Sequence, residues 1–395
     1  MKSAFLLLFL ATTAFAQPFI SAEKAMPIAN ASRYATRIVP PVALVPDGNG
    51  FIAAWSAGTN PAHIFVARLN AAFEPVVVRD LEPFLGTAYD AIYPDIAVID
   101  GGYALVALER ERIDQPRAFA VILRRLSPAL EASGATLVTW TGDGGGIARI
   151  TGGDAHAVSV LVPQGFVYTV DVNGGSSLAK ISNGTVDVAT IPRDAPLGIA
   201  SATYQPPRYT YYPLCGWPCP LTSPHWSMGM QVGAQPNSFG YGAVYDNEVA
   251  RPAIGFGGGM YIVAWLSDVS KHTGQISAAR VRADGQLLDK FDSPRSLGTF
   301  TPGGASMRPS VASDGQRFLV AWESDGDLAG AVLLPNGLLQ NVTLATGPGE
   351  ERNPLVVGVM PDRFALAYEV QVDDAHRELR FRTVDFKVFH RRAAR

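Results

Sequence analysis

A short outline that recurs five times constrains this chain more than any other feature. Each copy opens on proline, runs through a few strand-like residues to a Gly, Asp or Asn turn, and ends an apolar run on a large residue. RPAIGFGGGMYIVAW, Arg251 to Trp265, shows it most fully. The others run Pro41 to Trp55, Pro94 to Leu108, Pro309 to Trp322 and Pro354 to Tyr368, and in all five the proline and the final residue are 13 or 14 apart. A fixed offset is what a two-stranded hairpin of fixed register requires. Asp47-Gly48, Gly101-Gly102, Gly257-Gly258-Gly259 and Asp314-Gly315 supply the positive φ angles of tight turns. The runs YIVAW, FLVAW and FALAY are continuous rather than alternating. Both faces of these second strands are therefore expected to be buried.

The prolines recur at 41, 94, 252, 309 and 354, and the wide gap spans about three periods. Two degenerate copies are expected in it, at Ala148 to Val162 and at Ala195 to Tyr204, the latter read as a first strand cut short by an insertion. A second hairpin follows the outline in ISAARVRADGQLLD and LAGAVLLPNGLLQN, with Asp284-Gly285 and Asn336-Gly337 as turns. Four strands per unit of about fifty residues predict an all-β propeller, seven-bladed, with six blades as the alternative. A pair of β-sandwiches also has short strands and regular turns, but the constant offset favours the propeller. FISAEKAMPIA, within residues 17 to 35, is expected to pair beside RELRFRTVDFKVF and close the ring.

MKSAFLLLFLATTAFAQP has one lysine, an apolar core and Ala14-Phe15-Ala16. It reads as a signal peptide cleaved after Ala16, leaving residues 17–395 as one exported propeller domain. No other stretch is long and apolar enough to predict a membrane span. A net charge of -3 gives no general attraction to nucleic acid.

One insertion breaks the repeat, at about 204–226, in YQPPRYTYYPLCGWPCPLTSPH and its flanks. Its Cys215 and Cys219 are the only cysteines and are read as one disulfide. Its aromatics, among them Tyr209, Tyr211, Tyr212, Trp217 and Trp226, offer a stacking surface for a sugar or peptide, or a cover packed on blade four.

The repeats resemble those of secreted bacterial β-propeller-like proteins with P-x-[IV]-A and VAW units, a likeness specific to repeat type and not to activity.

Catalytic signatures are weak. The six histidines show no zinc spacing, no nucleophile elbow is present, and no metal or cofactor is expected. In a propeller, strand one of each blade lines the central channel. Tyr93, Arg149, Arg251, Arg308 and Arg352 fall at or next to its start. They are expected either to surround one mouth as an anion site or to pair with acids of neighbouring blades such as Asp95 or Glu350. Two readings stay open: a non-catalytic, monomeric binding or interaction protein for carbohydrate, another anionic ligand or protein, and a polysaccharide-active hydrolase or lyase with its site in the channel.

Overall fold

The computed structural model describes residues 18–27, 42–58, 61–113, 118–142, 148–153, 156–162, 166–171, 173, 175–180, 185–188, 198–205, 209–211, 218–220, 225–232, 235–242, 252–267, 274–289, 294–300, 308–372 and 377–386. The expected leader, Arg251, Tyr212, Cys215 and Trp217 lie outside these residues.

A strand buried on both faces needs a layer against each side, and sheets stacked around an axis provide it. Six four-stranded antiparallel sheets and one five-stranded sheet do so here, giving seven blades. Blade one comprises Val42–Asp47, Gly50–Ala57, His63–Leu69 and Pro75–Leu81, and blade two Tyr89–Ile99, Gly102–Glu111, Phe119–Leu126 and Ala132–Thr141. Blade three comprises Arg149–Gly153, Ala157–Val162, Phe166–Asp171 and Ser176–Lys180. Blade four holds Thr185–Val188, Gly198–Gln205, His225–Val232 and Gln235–Gly242, and blade five Ala253–Gly257, Met260–Ser267, Gly274–Arg282 and Arg295–Phe300. Blade six has Ser310–Ser313, Phe318–Ser324, Asp327–Leu333 and Leu339–Ala345, and blade seven Glu350–Met360, Arg363–Gln371 and Arg377–Asp385. The described residues contain no helix.

Strand one of each blade packs against strand one of the blades on either side, and that of blade seven against that of blade one. The ring is thus closed. Blade seven is completed from the other end of the chain: Phe19–Ile20 and Lys24–Pro27 both pair antiparallel with Arg377–Asp385, with Phe19 opposite Asp385 and Lys24 opposite Phe381. Glu23 fastens this junction, accepting hydrogen bonds from Tyr368 Oη at 2.5 Å, Arg382 Nη2 at 2.6 Å and Arg380. Burial tends to raise its pKa, but these donors prevail and hold the carboxyl below the usual range.

The core is a set of layers between blades. Met260–Ser267 is buried at every position. Trp55, Trp265, Trp322 and Tyr368 sit at equivalent places in the later halves of their second strands, all buried. One layer joins Ile52 and Val66 of blade one to Leu105 of blade two. Another joins Val42 and Trp55 to Phe381 of blade seven and Met26 of the terminal strand. A fully buried side chain of this size contributes about 2 to 3 kcal/mol, so closure rests on apolar contact as well as on Glu23.

The connections between strands three and four share one geometry. Phe73 N donates to Asn70 O, Leu130 N to Ser127 O, Gly285 N to Arg282 O and Gly337 N to Leu334 O, all at 2.8 to 2.9 Å. The donating residue has positive φ in each: 59° and 63° at Phe73 and Leu130, 87° and 88° at the two glycines. Two residues before each turn, Arg68 and Arg280 reach the following blade and donate to Pro128 O at 2.6 Å and Pro335 O at 2.8 Å, which are themselves equivalent positions. Arg125, at the same place in blade two, reaches Val170 O of blade three. The arginines clasp successive blades.

Blade four departs from the sequence expectation. Gly198–Gln205 is its second strand, pairing on one side with Thr185–Val188 and on the other with His225–Val232. TVDV lacks the proline and the turn residues that mark strand one elsewhere, so it resembled the tail of the preceding blade. The insertion accordingly joins strands two and three. Part of it forms a two-stranded ribbon, Tyr209 opposite Pro220 and Tyr211 opposite Pro218.

Candidate functional site: the channel mouth

Each strand one starts at one end of the channel, and strand two returns to that end. Whatever joins strands two and three therefore lies on the mouth side, including the aromatic insertion of blade four. The channel encloses a cavity of about 320 Å³, lined by strand-one residues from Ala43 to Pro46, Ala253 to Phe256, Arg308 to Ser313 and Asn353 to Gly358, with Asp95, Ile96, Arg149 and Ile150. At the far end the strands touch backbone to backbone: a Cβ added to Gly358 would fall 1.7 Å from Ser313 O. Only glycine fits there.

Polar groups gather at the starts of the strands. Arg149 donates from Nη1 to Asp95 Oδ1 at 3.1 Å, and Ile150 N donates to Asp95 Oδ2 at 2.9 Å. Arg149 thus pairs with the acid of the neighbouring blade, one of the two outcomes anticipated for it. Ser310 Oγ accepts from Val356 N at 3.0 Å. Arg308 lines the same space. Among the described lining residues the charges are two guanidiniums, Arg149 and Arg308, and one carboxylate, Asp95.

Tyr93 and Arg352 are not among the cavity's lining residues. Tyr93 is buried in the layer between blades two and three, with Leu108, Phe119 and Val160. Its φ is 54° and that of Asn353 is 52°. Each precedes a proline within a bulge, Tyr93-Pro94 facing Ala107 alone and Asn353-Pro354 facing Tyr368 alone. The extra residue turns Tyr93 into the seam. At the matching place in blade seven it brings Asn353 to the cavity, while Arg352 pairs with Glu350 of its own strand. Tyr209, Tyr211, Trp226 and Cys219 lie on described strands, but their side chains fall outside the described set.

Buried acids hold this end in place. The residue after the large side chain of strand two is Glu109, Glu323 or Glu369 in three blades. Glu323 accepts from Asn353 N, and Glu369 Oε2 accepts from Asn353 Nδ2 at 3.1 Å. Burial pushes the Glu369 carboxyl up, against the opposing pull of Arg377. Glu351 is 1% exposed. Burial, followed by the charge of Asp327, pushes its carboxyl up to about 7.

No family model and no curated protein matches the sequence. Among solved structures, a protein of unknown function from Dyadobacter fermentans matches at 10% identity and TM-score 0.47, over 92% of this chain and 99% of that one. BamB from Moraxella catarrhalis matches at 10% identity and TM-score 0.41, over 93% of this chain and 100% of that one. Trypanosoma rangeli sialidase in complex with the inhibitor DANA matches at 8% identity and TM-score 0.44, over 92% of this chain but 60% of the sialidase. With these scores below 0.5, the likenesses assign neither activity nor ligand to this chain.

Proposed function

We propose that this chain is a non-catalytic, extracytoplasmic propeller that binds an anionic group, such as the carboxylate of an acidic polysaccharide, at the mouth of its channel. The observation that carries this reading is the charge of the lining. Two guanidiniums, Arg149 and Arg308, and one carboxylate, Asp95, stand among the described residues of its concave wall. Bond cleavage by a carboxylate pair needs two convergent acids about 5 to 10 Å apart, and the described lining supplies one. The insertion that joins strands two and three of blade four lies on the same face and is rich in tyrosine and tryptophan, and the expected leader would place the protein outside the cytoplasm. No helix among the described residues is long and apolar enough to cross a membrane.

The test is retention of purified mature protein on acidic and neutral polysaccharides, with released products followed together. Acidic polymers are expected to retain it without products, and Arg308→Ala to weaken that retention. Product release would transfer the reading to a polysaccharide-active enzyme. Failure to bind any acidic polymer would refute the anion site.

A further inference from the structure

A second cavity, of about 510 Å³, lies on the mouth side but outside the channel, between the strand two to three turn of blade one and the segment that joins blade one to blade two. Pro61, His63, Phe65, Glu82, Pro83 and Thr87 contribute to its wall.

Both walls are held by blade two. Glu109, 1% exposed, accepts from Phe84 N at 2.5 Å and Leu85 N at 2.8 Å. Arg124 donates to Glu82 O, and Arg112 Nη1 to Thr87 O at 3.2 Å. On the other side Asp90, also 1% exposed, accepts from Ala62 N at 2.8 Å, and Ala91 N donates to Ala62 O at 2.8 Å. Two buried carboxylates are thus committed to the backbone of the two walls. A cleft so anchored is preformed, and it lies within the volume range of small-molecule sites, about 300 to 1,000 Å³.

Its chemistry differs from that of the channel. His63 Nδ1 lies 2.7 Å from Asp80 Oδ1. A carboxylate only accepts, so Nδ1 carries the hydrogen and Nε2 is the acceptor of the neutral ring. Phe65 is backed by Trp55, stacked at 5.9 Å, and Pro61 and Pro83 add further flat apolar surface. Glu82 is the one carboxylate among the described wall residues, which include no arginine or lysine. A site built of ring faces and acceptors suits a ligand that brings apolar C–H faces and hydrogen-bond donors.

We propose that this cleft is a second binding site, separate from the channel, for a neutral hydroxylated ring the size of one monosaccharide unit. A ligand hydroxyl donates to His63 Nε2, and the ring packs against Phe65 and the prolines.

The test uses the full mature protein labelled with ¹⁵N-histidine and titrated with glucose, galactose, mannose and N-acetylglucosamine, reading imidazole shifts. At least one sugar is expected to shift the His63 resonances saturably while leaving other histidines in place. Asp80→Asn, which no longer fixes the ring tautomer, is expected to weaken binding about tenfold, the worth of one hydrogen bond to a held acceptor. Arg308→Ala is expected to leave it unchanged, which separates this site from the channel. No His63 response to any neutral sugar, or a response to acetate or tetramethylammonium in their place, would overturn the proposal.

Discussion

The strand three to four turns of blades one and two and those of blades five and six have one geometry and opposite chemistry. Gly285 and Gly337 occupy the positive-φ position without steric cost, whereas Phe73 and Leu130 occupy it against their own preference. What holds them there is burial. Phe73 is 3% exposed, stacked on Phe51 at 4.8 Å and on Phe381 of blade seven at 5.3 Å. Leu130 lies in the layer between blades one and two. A repeat can keep its shape by ease of backbone in one half and by packing in the other.

The sharpest way to break this comparison is at Phe73. Phe73→Ala is expected to cost about 3 to 5 kcal/mol, since it opens a cavity at the closing seam and leaves an L-residue at positive φ. Phe73→Gly, against the usual order of these residues, is expected to be about 1 kcal/mol more stable than the alanine variant. Urea unfolding of the pair decides it, and a less stable glycine variant would mean that backbone strain plays no part.

The next largest effect lies in the arginine clasps that flank the turns. Arg280 donates to Asp289 from Nε and Nη2, and Arg295 Nε reaches the same carboxylate at 2.7 Å. Burial works to raise the Asp289 pKa, yet these donors hold it below its ordinary value. Arg280→Ala leaves a buried charge half-compensated and is expected to cost about 3 kcal/mol. The equivalent Arg68, a third exposed beside Asp47, is expected to cost about 1 kcal/mol when replaced by alanine. Equal losses at the two sites would show that the hydrogen bond to the next blade, and not the buried pair, dominates.

Gly337→Ala should be milder than Arg280→Ala, about 1 to 2 kcal/mol from its positive φ. The added Cβ meets Arg295 Nη2 at 2.5 Å and Arg280 Nη1 at 2.8 Å, so these guanidiniums, which also hold Asp289, must give way slightly.

One further effect is conditional on pH. Asp289 has two cations beside it, whereas Glu351 has Asp327 and Glu23 nearby. Its folded pKa, raised from 4.5 to about 7 chiefly by burial, means the folded state prefers the protonated form. Stability tied to this group is therefore complete below pH 4.5 and lost as pH rises through about 7. Glu351→Gln is expected to match the wild-type Tm in acid and to exceed it above neutrality. A constant difference across that window would contradict the assignment.

These contrasts explain what was legible in the sequence. Blades five to seven could be read because proline, turn residue and aromatic all stand where the geometry needs them, the turn residue being glycine in blades five and six and Asp362, φ 70°, in blade seven. Blade four's first strand carries none of the three, so its register was misplaced by one strand. Arg68, Arg125 and Arg280 were visible two residues before each turn, but a lone arginine on a strand carries no signal until its partner carbonyl in the next blade is known. The acids after Leu108, Trp322 and Tyr368 form a pattern that was available and went unread. At the mouth, Arg308 was picked out by the proline that follows it and Arg149 by the start of a degenerate copy that lacks the proline. The bulges at Tyr93 and Asn353, which decide whether a side chain meets the channel or the seam, depend on partner-strand register and leave no local mark. Asp95 was already named as an acid for these arginines, and Ser310, directly after Pro309, could have been found by extending the count by one residue.

The most direct test of the channel as an anion-binding mouth is a crystal structure of the mature protein soaked with a uronic-acid oligosaccharide. An intact oligosaccharide with a carboxylate beside Arg308 is the expected result. A cleaved chain in the channel, or binding only elsewhere on the protein, would contradict it.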